Sequence, residues 1–130
     1  MTARPLNPPT VCAPLGPYSQ GVLAEGRGRW LHIAGQVGVG ADGALAQGFQ
    51  AQAHAAWRNV AAMLQAAGMD AGHLVKVVTF VVDETHLPLL GPVRLAYLGD
   101  ARPAATLIVA KALARPDWLI EVEAIAFRPE

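Results

Sequence analysis

Apolar and polar positions follow two different periods along this chain. Between Gln47 and Ala67, apolar residues recur every three or four positions: Phe49, Ala53, Ala56, Trp57, Val60, Leu64 and Ala67. That spacing makes one stripe of a helix. Gln47, Gln50, His54, Arg58 and Gln65 fall on the other side. Alanine, the best helix former, fills most of the remainder, and Gly68 stands where a left-handed cap closes such a helix. At about 1.5 Å per residue the helix is roughly 30 Å long. Leu74 to Val82 (LVKVVTFVV) is instead β-branched and apolar on both parities apart from Lys76 and Thr79, which predicts a strand needing cover on both faces. Trp30 to Val37 (WLHIAGQV) predicts another strand, and Gly38 to Gly43 a turn, with Asp42-Gly43 as its signal.

Asp83 and Thr85 are N-cap candidates for a second helix from His86 to about Leu98. Pro88 fits its first turn, and Pro92 is expected to kink or shorten it. Two further strands are expected at about Ala104–Lys111 and Leu119–Phe127. The order β β α β α β β predicts an α+β two-layer domain, a mixed β-sheet with two helices on one face. A single domain spans residues 1–130, and residues 1–12 form a polar, Pro-rich N-terminal arm in which little regular structure is expected.

Composition adds a partner to this picture. Of the 130 residues, 53% are hydrophobic and only 15% charged, more apolar surface than so small a domain hides in itself. Together with the two-sided strand, this points to burial against a second copy. A formal net charge of +0 argues against a nucleic-acid partner, which needs phosphate neutralisation. No apolar run reaches the length of a membrane span, and the opening MTARPLNPPT is polar rather than a secretory core. The single cysteine, Cys12, leaves no internal disulfide and fits a reducing, cytoplasmic setting.

The candidate chemistry lies at the end of the chain. Glu121 and Glu123 are one pleat apart within Leu119–Phe127 and point to the same face. Two carboxylates in an apolar strand imply a wet face, a paired site or work on a substrate. Cys12 has no basic neighbour to activate it and is expected to be a packing residue. His32, His54, His73 and His86 have no metal-ligand spacing. Gly38, Gly40 and Gly43 lack the following helix and acidic partner of a nucleotide loop.

Several segments together carry a resemblance: GPYSQ at Gly16–Gln20, GQV at Gly35–Val37, Gln52 and Asn59 in the long helix, AAG at Ala66–Gly68, LVKVVTFVVD at Leu74–Asp83, Pro103-Ala104, and EVEAIA at Glu121–Ala126. In this order and spacing the chain resembles the RidA (YjgF) family of reactive intermediate deaminases over nearly its whole length. The resemblance implies a chorismate-mutase-like α+β fold and a homotrimer, with sheets facing the centre, helices outside and small-metabolite pockets between subunits. It implies hydrolysis of an imine or enamine, such as 2-iminobutyrate, to a keto acid and ammonia, without cofactor or metal. Glu121 matches the glutamate that positions water and handles protons. Tyr18 matches the pocket tyrosine.

Other positions depart from the pattern. The arginine that grips the substrate carboxylate falls at Ala105, the serine before Gly-Gln at Ala34, and the second-helix asparagine at Gly91. Gly35 and Thr106, beside these, complete the implied substrate-binding set; Glu123 is taken as structural. Alanine cannot replace a bidentate guanidinium, whose hydrogen bonds to a carboxylate are worth about 1.5–3 kcal/mol each. Arg102 and Lys111 do not fill the gap along the strand, and Arg58 and Arg94 are read as solvated helix charges. Two functions stay open: a deaminase whose specificity differs from 2-iminobutyrate, or a non-catalytic trimeric ligand-binding or interaction protein.

Overall fold

A computed structural model describes residues 3–130. The alternating and helical periods appear as expected, in the order β1 (Ala3–Leu6), β2 (Gly21–Ala24), β3 (Gly28–Val37), α1 (Phe49–Ala66), β4 (Leu74–Val81), α2 (Leu87–Leu98), β5 (Ala104–Val109) and β6 (Ile120–Pro129). Short 3-10 turns precede β4 and α2. The main sheet runs β3-β6-β4-β5, with β4 and β5 parallel and the other pairs antiparallel. This is the mixed-sheet α+β fold that the pattern predicted.

α1 forms because its apolar stripe has a sheet to cover. Ala53, Ala56, Trp57, Val60 and Leu64 are buried and join Ile33, Val77, Val81, Val122 and Ala124 in one core. The helix packs on β3 and β6, with α2 beside it. Gly68 takes φ +69°, the left-handed cap that its place in the sequence anticipated. Arg29 Nη1 (3.0 Å) and Arg128 donate to the carbonyls of Ala67 and Gly68, placing positive charge at the helix's negative end. At α2 the Asp83 carboxylate accepts from the Thr85 hydroxyl and the Thr85 N–H, which hold its pKa below the usual value.

One expectation is corrected and one is narrowed here. Residues 3–6 of the expected irregular arm form β1, paired antiparallel with β2. Pro5 pairs with Val22 in this two-stranded ribbon, where a missing N–H is tolerated at an edge. Pro92 neither shortens nor ends α2, which continues six residues beyond it to Leu98. It sits on the exposed face.

Two polar residues of α1, the buried Gln52 and the half-buried Asn59, tie the layers together. Gln52, 3% exposed, donates to the carbonyl of Asp117 (3.0 Å) and accepts from Leu119 N–H (2.9 Å), fixing the entry to β6. Asn59 donates to the carbonyl of Val39 at 2.9 Å, just after β3. Gly38 lets this approach happen, since a Cβ there would lie 2.6 Å from the Gln52 backbone. Replacing Gln52 with alanine leaves one part-buried donor, Leu119 N–H, and one part-buried acceptor, the Asp117 carbonyl, without a partner. We expect a loss of about 1–3 kcal/mol per stranded group, read as a lower midpoint in urea unfolding; an unchanged midpoint would show that the clamp adds nothing.

Candidate functional site

The alternation of β6 divides the candidate residues between two faces. Ile120, Val122, Ala124 and Ala126 are buried beneath the helices, whereas Glu121 is half-buried and Glu123 exposed on the opposite, helix-free face. β4 repeats this, with Val77, Thr79 and Val81 inward and Lys76, Val78 and Phe80 outward. The register sets Phe80 beside Glu121 and Val78 beside Glu123.

On the other flank, β3 has a bulge between Ile33 and Gln36 opposite Glu123, which brings Ala34 and Gly35 onto the helix-free face. Gly35 has a specific use here. The Glu121 side chain lies directly over its Cα, and a Cβ at residue 35 would stand 2.7 Å from Glu121 Cδ. Ala34 lines a hollow of about 380 Å³ with His32, Lys76, Val78 and Glu123. Lys76 Nζ donates to Thr106 Oγ1 at 2.8 Å, which puts Thr106 on this face as well.

Ala105 is on the other side. In the parallel β4–β5 pair it is partnered with Val77, an inward residue, while Thr106 is partnered with the outward Val78. Ala105 also does not lie on the strand next to Glu121, because β4 separates β5 from β6. Glu121 lines up through Phe80 with Ile108. Ala105 is therefore two strands across and three residues along, about 14 Å from Glu121 and facing the other way.

Tyr18 belongs with Ala105. Its neighbour Ser19 bridges to Ala104, donating its N–H to the carbonyl of Pro103 at 3.1 Å and its hydroxyl to that of Arg102 at 2.5 Å. The Tyr18 hydroxyl accepts from Leu15 N–H at 3.2 Å. Gly91 lies on α2, with nothing within 4 Å of where a Cβ would be. The structure thus gathers Glu121, Gly35, Ala34 and Thr106 on one face. It sets Tyr18 and Ala105 together at the start of β5, with Gly91 on the helix layer.

Further sequence expectations change here. Cys12 is exposed rather than packed. Arg102 folds back, donating to the carbonyls of Gly99 and Ala101 at 2.8 Å each, so it serves the end of α2. Arg94 is not a solvated helix charge. It is half-buried, burial lowers its pKa, and its Nε has no hydrogen-bond partner. The sequence did offer a signal for this, since Arg94 sits one turn after Leu90 on the apolar side of α2.

Comparisons with known proteins agree with the fold. The pattern defining the family described as "Endoribonuclease L-PSP" matches residues 9–128. A RutC family protein of Pyrococcus horikoshii is 33% identical over 117 residues, covering 88% of this chain and 90% of that protein. A 2-iminobutanoate/2-iminopropanoate deaminase of Bos taurus is 34% identical, covering 88% of this chain and 82% of the relative. Among solved structures, the Rid family protein YyfB of Yersinia pestis superposes with a TM-score of 0.83 at 33% identity, covering 97% of this chain and 98% of its own.

Because the three atoms nearest the space above Gly35 all belong to the Glu121 side chain, a methyl there is accommodated by swinging the carboxylate away. Gly35→Ala is expected to cost less than about 1.5 kcal/mol in urea unfolding while displacing Glu121 in a crystal structure. A Glu121 found unmoved would show that Gly35 does not set its position.

Proposed function

This chain belongs to the endoribonuclease L-PSP (RutC/YjgF, Rid) family, and from that premise we propose that it is an imine or enamine deaminase whose site forms between subunits of a homotrimer in the cytoplasm. The observation that carries this is the half-buried Glu121 carboxylate held over Gly35 on a face with no helix layer. Relatives of similar length are named as 2-iminobutanoate/2-iminopropanoate deaminases. A subunit contact supplies what one chain lacks. It brings the Glu121 face of one copy to the Tyr18 and Ala105 edge of the next. Exposed Leu107, Ile108 and Val109 leave apolar surface on both faces of β5 for such a contact.

The chemistry follows from a carboxylate beside a polarised C=N bond. Glu121 takes a proton from water as the water oxygen bonds to the imine carbon. The proton passes to nitrogen, giving a carbinolamine; Glu121 then takes the hydroxyl proton and returns it to nitrogen as the C–N bond breaks, and a keto compound and ammonia leave. Water is the only co-reactant. Ala105 leaves the strand side of the pocket without the guanidinium that would grip a carboxylate next to the reacting carbon, so specificity shifts away from 2-iminobutanoate. The net charge of +0 provides no field for gathering RNA phosphates, and we do not extend the reading to a nuclease.

The test is ammonia release from imines generated in situ by an amino-acid oxidase. Glu121→Gln should lower the rate by about 10²–10⁴-fold, the usual worth of a general acid–base. Ala105→Arg should raise turnover of 2-iminobutanoate. Ligand binding without ammonia release from any imine or enamine would favour the non-catalytic reading, and salt-sensitive RNA cleavage lost in Glu121→Gln would favour a nuclease.

A further inference from the structure

A carboxylate-bearing imine needs a cation, and Ala105 supplies none. The chain's other candidates are engaged or solvated. Arg29 and Arg128 hold the end of α1, Arg102 holds the end of α2, and Lys76 donates to Thr106. Arg115 lies over Trp118, and Arg58 is exposed. Arg94 alone combines partial burial, a desolvated guanidinium and a buried Nε with no acceptor. The only ion pair among the described residues, His73–Asp70, is elsewhere. A guanidinium does not shed its charge at ordinary pH. Desolvating one without a counter-charge is therefore costly, and an anionic ligand relieves that cost.

The placement of Arg94 on α2 agrees with such a role. α2 turns His86 and Tyr97 toward α1, where His86 stacks on Phe49 and Tyr97 on Trp57. At about 100° per residue, Arg94 is turned roughly 60° from Tyr97, and Gly91 roughly 120° in the same sense. Arg94 therefore lies on the buried side of α2, between Leu90 and Leu98, and Gly91 lies beyond it, further round from α1. Since α1 covers β3 and β6 and the sheet continues through β4 to β5, this side of α2 belongs to the β4–β5 half of the sheet. There Ala105, Leu107 and Val109 share the helix-side parity, and Leu107 and Val109 are 44% and 49% exposed. The open space at Gly91 adjoins Arg94 one turn away, and Ala105 adds no bulk on the strand. The result is a cation at the back of an apolar strip.

We propose that Arg94 is the carboxylate-binding residue of this chain, acting from the helix layer in place of a guanidinium at residue 105, on an imino acid whose apolar chain lies along Leu107 and Val109. The proposal rests on the deaminase reading for its reaction but not for its binding step. An anchor set back on α2 favours substrates whose carboxylate and reacting carbon are further apart than in 2-iminobutanoate, or whose chain is longer.

The test is calorimetric titration of the full-length protein with 2-oxohexanoate, and with uncharged 2-hexanone as control. Arg94→Gln keeps side-chain bulk and should weaken keto-acid binding at least tenfold while leaving 2-hexanone unchanged. Arg94→Lys should recover part of the loss, and Gly91→Leu, which fills the space, should weaken both ligands. In the ammonia assay with the imine of norleucine, Arg94→Gln should raise KM with little change in kcat. Equal keto-acid affinity in wild type and Arg94→Gln, or no keto-acid binding by wild type, overturns the proposal. Arg94-dependent keto-acid binding without ammonia release from any imine sustains the binding role and rejects the deaminase reading.

Discussion

One layer of helices covering one face of a mixed sheet is the constraint from which the rest of this molecule follows. α1 and α2 bury the inward parity of β3, β4 and β6. In a strand, burying one parity presents the other. Val122 and Ala124 must face inward to complete the core, so Glu121 and Glu123 must face outward. A slip of one residue in β6 would drive both carboxylates under Trp57 and Val60 and expel the core. The position of the acid is thus secured by the packing of its apolar neighbours and needs no polar framework of its own.

Finer placement comes from small residues. Glycine at 35 admits the Glu121 side chain over the backbone, and the bulge beside it turns Ala34 and Gly35 to the same face. Glycine at 38 brings α1 close enough for Gln52 and Asn59 to bond the ends of the strands that flank the site. The same economy applies at the other half. Ala105 and Gly91 are small, and the charge that a carboxylate requires has moved to Arg94, one helical turn from the vacancy at Gly91.

Local periodicity made much of the fold legible: the stripe of α1, the β-branched run of β4, the cap at Gly68 and the shared face of Glu121 and Glu123 all follow from residue spacing. The family resemblance, rather than spacing, supplied Tyr18, Ala34, Gly91 and Ala105 as site positions. What stayed hidden is non-local. Nothing near Pro5 announces its partner Val22, seventeen residues on. No local signal places β4 between β5 and β6, so the separation of Ala105 from Glu121, close in sequence, cannot be read from the two strands themselves. Arg94 reads as an ordinary helix charge until the packing of α2 shows that it is half-buried without a partner.

The central claim is that the two halves of the site lie on opposite faces of one chain and meet only between chains. Complementation between two disabled variants tests it. Chains carrying Glu121→Gln and chains carrying Ala105→Trp, which plugs the β5 side, are each expected to be inactive as homo-oligomers. Unfolded together and reassembled, they create contacts in which an intact Glu121 face meets an intact β5 edge. Ammonia release well above that of either parent is the predicted result. No recovery in mixed oligomers shown by mass spectrometry to contain both chains would contradict the account.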